Sequence, residues 1–326
     1  MLLRADDVLD IYVEPYIHSG FRLPNQPYSY YYRSLFSLHN ETFSVWIHLL
    51  GTLILLGQIF QQLSQLIIHT NSMILCIYIL YNCFGACTML LCSAQAHLLH
   101  SRTLADHLRS FYLDYFGINF YGFTSGLILY KFSYKDNQAS NETWYYIQLS
   151  IITLYSLSIA CFCKTFYRRP YPFSHKCLQC SGVLLVYVYQ LWPILKILYS
   201  TFVLLDSKEV LNDHEEKALF WHLLQFLSFI ISGLIFIGRI PERFYPGGFD
   251  IFGQSHHSFH LTIFLLAYCQ ANAVYEDILS QLSQEIELNL IKDLIFTLFV
   301  FILQLITIIM WFRISRPTME RRYKMT

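Results

Sequence analysis

The sequence predicts an all-α fold, a polytopic membrane helical bundle with a seven-helix core and an eighth helix, and three observations predict it. Only 13% of the residues are charged, about half the share found in a soluble globular domain. The apolar share is 55%, including 27 Phe and 25 Tyr. These apolar residues gather into stretches of about 20, the length at which a helix crosses a bilayer. Lys plus Arg equals Asp plus Glu at 22 each, and without a basic stripe the composition excludes a nucleic-acid partner. Asp6, Asp7 and Asp10 interrupt any apolar signal-peptide core, so the first span is expected to do the targeting. Nine cysteines scattered through apolar stretches suit buried free thiols better than a disulfide framework.

Residues 1–43 form a mixed N-terminal segment that lacks a span. The first span, Ser44–Leu66, ends in the polar run "QIFQQLSQL", and Asn71-Ser72 separates it from the second, Met73–Ala96. "HSRTLADHLR" precedes the third, Phe111–Tyr130, and "KDNQASNE" precedes the fourth, Trp144–Phe166. The basic loop "RRPYPF" leads toward the fifth, Ser181–Leu205, and the acidic run "DSKEVLNDHEEK" toward the sixth, Ala218–Gly238. "RIPERFYPGGFD" comes before the seventh and shortest, Ser258–Val274. "EDILSQLSQEIE" leads to the eighth, Ile291–Phe312, after which residues 313–326 form a basic tail. The expected organisation is one transmembrane helical domain, 44–312, between two cytosolic ends.

Orientation follows from the basic residues, which favour the cytosolic side. With the N-terminus inside, that side holds Arg4, Arg22, Arg33, Arg102, Arg109, Lys164, Arg168, Arg169, Lys176, Arg239, Arg243, Arg313, Arg316, Arg321, Arg322 and Lys324. The other side holds Lys131, Lys135, Lys208, Lys217 and Lys292, sixteen against five. Lys196 falls inside the fifth span and is expected to snorkel or pair. An even number of spans places both termini in the cytosol, and the expected location is the plasma membrane.

The stretch "FDIFGQSHHSFHLTIF" sets His256 and His260 four apart at the start of the seventh span, on one helical face, with His257 turned about 100° away. That spacing lets one helix offer two imidazoles to one metal ion. His97 ends the second span, Ser93 lies one turn earlier on the same face, and Asp114 opens the third. The orientation carries all of them to the cytosolic membrane surface. An aspartate within a span is costly unless it is paired or ligating. A metal site accounts for this group, and a hydrogen-bonded polar network between helices is the competing account.

"HNETFSVWIHLLGT", the Ser-x-x-x-His of "SAQAH", "LDYFGI" and "PERFYPGGFDIFGQSHHSFH", in that order between about Gly20 and Gln270, resemble the progestin and adipoQ receptor (PAQR) family. The long last motif and the eighth span look most like its membrane progestin receptor branch. The resemblance implies a zinc ion held by His97, His256 and His260, with Asp114 holding the zinc-bound water and Ser93 beside it. It implies a receptor for a progestin-type steroid or related lipid, signalling through G proteins. A relation to alkaline ceramidases implies an alternative, a zinc-dependent ceramidase-like amidohydrolase in which Asp114 and Ser93 act on a sphingolipid-like substrate. A scaffold merely stapled by zinc is a third reading. His257 departs from the glutamine common in the family.

Lesser features have plain expectations. The spacing of Cys161, Cys163, Cys177 and Cys180 is irregular, so packing or acylation is preferred over a second metal site. His39 and His48 are expected to make helix-end hydrogen bonds. Glu41 and Arg243, at one membrane surface, are expected to form a structural ion pair.

Overall fold

The computed structural model describes residues 2–133, 139–167, 171–202, 212–282 and 288–324. A two-stranded antiparallel pair, β1 (Leu3–Arg4) and β2 (Ser19–Phe21), and a short helix α1 (Tyr28–Ser34) precede eight long helices. These are α2 (Thr42–Thr70), α3 (Met73–Leu99), α4 (Leu104–Ser133), α5 (Ala139–Phe166), α6 (Phe173–Phe202), α7 (Asp213–Gly238), α8 (Ser255–Ser280) and α9 (Leu290–Lys324). They follow the eight expected spans one for one and form an all-α bundle.

Four helices, α2, α7, α8 and α9, outrun their apolar windows for local reasons. The polar end of the first span stays helical because Gln62 turns inward to the Asn272 side chain, 3.3 Å away. The helix stops at Asn71, whose left-handed φ of 50° suits an asparagine C-cap. Helix α8 passes Val274 because Tyr275 and Ile278 continue its buried face. Helix α7 starts on a capping box between Asn212 and Glu215. The expected tail is a continuation of α9, in which Ser315 bonds Tyr112 and Met319 packs against Ile11 and Tyr12.

Helix α4 stands at the centre, packed on α3, α5, α6, α8 and α9. It approaches α3 closely because glycine lies at the crossing. A Cβ on Gly117 would sit 2.9 Å from the Cβ of Cys92 and 3.1 Å from the Cα of Met89, the small-residue packing used by membrane helices. Five helices, α2, α3, α5, α7 and α9, are long and apolar enough on their own to cross a membrane. Their outward faces carry large apolar side chains, such as Leu53 and Phe60 on α2 and Ile230 and Leu234 on α7, as lipid contact requires. In α4 and α8 polar and charged groups face the interior instead, at both ends of the bundle. The side chain of Lys196, the bulk of "RRPYPF" at 168–170, and Lys135 and Lys208 lie outside the described residues.

Candidate metal centre

The centre forms where the end of α3 meets the start of α8. The N-terminus of α8 is fixed by Glu242, whose carboxylate accepts from the backbone N–H of Ser255 at 2.8 Å and from its hydroxyl. Negative charge there also complements the helix dipole. The loop before it is stitched to the N-terminal segment. Asp250 accepts from the N–H of His18 and the hydroxyl of Ser19, and the Gln254 amide donates to the Asn40 carbonyl. This accounts for the length of the "PERFYPGGFDIFGQSHH" motif, since most of it sets the entry angle of one helix.

From that first turn His256 and His260 face His97. Nε2 of His256 lies 3.0 Å from Nε2 of His260 and 3.4 Å from Nε2 of His97. Each remaining nitrogen of two rings is held from behind: Nδ1 of His97 by Glu41 Oε2 at 2.9 Å, and Nδ1 of His260 by His48 Nε2 at 3.0 Å. The three histidines form a group that could hold a metal ion, as do Glu41, His97 and His100, which share His97 with it. His257 points elsewhere, packing on Phe43 with Nε2 3.4 Å from the Asn40 carbonyl.

Asp114, on α4, is buried beside the Ser93 hydroxyl and within electrostatic reach of His97. Its Oδ1 has no hydrogen-bond partner among the described residues. Asp114 and Ser93 thus stand next to the histidine cluster without belonging to its converging nitrogens.

The expected pair between Glu41 and Arg243 does not form. Glu41 is buried and accepts from His97 and from His100, 3.1 Å away, while Arg243 is exposed. Burial alone would raise the Glu41 carboxyl, but His97 and His100 reverse the effect and hold it well below the ordinary carboxylate range. Arg22, also buried, donates to the carbonyls of His97 and Leu98, both at 2.7 Å. Burial brings its pKa down to about 10, against the pull of Glu41, so it remains a cation at neutral pH. His39 is held neutral, with burial and then Arg22 pushing it down to about 3, and its Nδ1 accepts the Glu41 N–H. Cys161 and Cys163 are buried in α5, and no cysteine enters a metal-capable group among the described residues.

The three histidines singled out from the sequence come together, whereas Glu41 and His48 were given other roles there and His100 was not singled out. The available signal was "HNETFSVWIH", which joins Glu41 and His48 to the same helix start.

Residues 36–271 match the haemolysin-III-related family. The chain is similar to membrane progestin receptor beta of Homo sapiens, 33% identical over 281 residues that span 83% of this chain and 74% of the relative. It is 31% identical over 283 residues to the Mus musculus receptor of that name, with the same coverage. Membrane progestin receptor alpha-B of Danio rerio is 31% identical over 281 residues, 84% of this chain and 76% of the relative.

Proposed function

The chain belongs to the progestin and adipoQ receptor family, on its membrane progestin receptor branch, and on that premise we propose that it is a membrane receptor for a progestin-type steroid or related lipid, with zinc held by His97, His256 and His260. One observation carries the zinc reading: three Nε2 atoms face one point at separations of 3.0 and 3.4 Å. Tetrahedral zinc with Zn–N near 2.05 Å has ligand–ligand edges of about 3.3 Å, so the spacing fits. At that distance two imidazole nitrogens share either a proton or a cation, and zinc is a cation that this donor set suits. Zinc held there supplies Lewis-acid chemistry or a cross-link of α3 to α8. The basic bias of one side supports cytosolic termini, and the family resemblance is what suggests the plasma membrane and a G protein as the partner.

A second reading rests on Asp114. A buried carboxylate with one unpartnered oxygen, beside Ser93 and next to the histidines, suits a general base in a ceramidase-like hydrolase. Asp114 would take up a proton at Oδ1 and Ser93 would steady the developing charge.

The experiment measures zinc content, progestin binding and ceramide hydrolysis on wild type and on Asp114→Asn. The receptor reading expects no hydrolysis by either protein and equal progestin binding by both. Hydrolysis by wild type that falls about 10²–10⁴-fold in Asp114→Asn, with zinc retained, favours the enzyme. Absence of progestin binding by the wild type overturns the receptor reading.

A further inference from the structure

Glu41 occupies the N-cap of α2, yet its side chain caps nothing there. It reaches instead to the end of α3, with Oε2 2.9 Å from Nδ1 of His97 and Oε1 3.1 Å from Nε2 of His100. An ionised carboxylate can only accept hydrogen bonds. His97 therefore carries a proton on Nδ1, and in the neutral ring that a metal ion requires, its Nε2 is the lone pair, on the side where His256 and His260 converge. In the other tautomer an N–H would point into the space that a cation must fill. The second oxygen, tied to His100, keeps the carboxylate from turning away. Arg22 stands behind it with an opposite charge, and its grip on the carbonyls of His97 and Leu98 fixes the helix end that bears the ring.

Resting on the zinc reading above, we propose that Glu41 is a positioning residue that sets the tautomer and orientation of His97 and so tunes the affinity of the metal site. In this role it acts on the metal site through the His97 imidazole, its second oxygen being held by His100. Carboxylates that hold a ligand histidine in this way are worth about 10–100-fold in metal affinity.

The test compares the full chain in detergent as wild type, Glu41→Gln and Glu41→Asp. Zinc affinity is measured by competition with a chromophoric chelator, and cobalt(II) uptake by its ligand-field absorption. Glu41→Gln is expected to weaken zinc by about 10–100-fold and to shift the cobalt bands, while its metal-free form melts with the metal-free wild type. If Glu41→Gln melts lower, Glu41→Asp carries the test, since it keeps the charge and loses reach, and a smaller loss of affinity is expected. Unchanged zinc affinity and an unchanged cobalt spectrum in both variants overturn the proposal and leave the zinc reading standing. A wild type that takes up neither metal overturns both.

Discussion

The two ends of the bundle bury polar groups in opposite ways. Away from the histidines, Lys131 of α4 sits 2.7 Å from Glu142 of α5 and 3.1 Å from Asp293 of α9, and Lys292 lies 2.6 Å from Glu142. The hydroxyls of Tyr78 and Tyr146 donate to the same Asp293 carboxylate. Two ammonium groups meet two carboxylates, and the acceptors have donors. That network is complete in itself and clamps α9 to the core. At the other end His97, His256 and His260 turn nitrogen toward nitrogen, while Nδ1 of His97 faces Glu41 and Nδ1 of His260 faces His48. A buried cluster that pairs its own charges is a staple, whereas three imidazoles that converge with no carboxylate between them form an arrangement that could hold a metal ion.

The largest difference between the two ends is expected from His260→Ala. Metal and stability are expected to fall together, because binding to the folded state alone stabilises it. At a metal concentration 1,000-fold above the dissociation constant the contribution is about 4 kcal/mol. At about 2–4 °C per kcal/mol for a larger domain, the melting temperature should drop by roughly 10 °C. A chelator should lower wild type to the same point and leave the variant unmoved.

Asp293→Asn should show a smaller effect of a different kind. It removes one carboxylate from a buried ammonium, a change that costs about 3 kcal/mol at the low end of such losses. Melting should fall with zinc content unaltered. Loss of zinc from this variant would show that the ends are not independent.

The helices were legible because lipid demands long apolar runs, which five of them supply on their own, while α4, α6 and α8 follow the weaker apolar windows between them. The three histidines were legible because His256 and His260 share a face and charge bias carried His97 to the same surface. Glu41 was misplaced because sequence gives its depth in the membrane but not the direction of a side chain at a helix start. Arg243 was taken as its opposite charge by that measure, yet Arg243 is exposed while Glu41 is buried against His97 and His100. The opposite network was hidden for a related reason. Lys292 and Glu142 lie 150 positions apart, and Lys131 and Lys292 entered the orientation argument only as counted charges. Composition places charges on a side of the membrane, and only packing tells which of them meet.

Metal analysis of the purified full chain, wild type beside a His97→Ala, His256→Ala, His260→Ala variant, tests the central claim most directly. About one zinc per chain is expected for a single tetrahedral site, falling to background in the triple variant. Full zinc retention in that variant, or a folded wild type without zinc, would contradict the assignment.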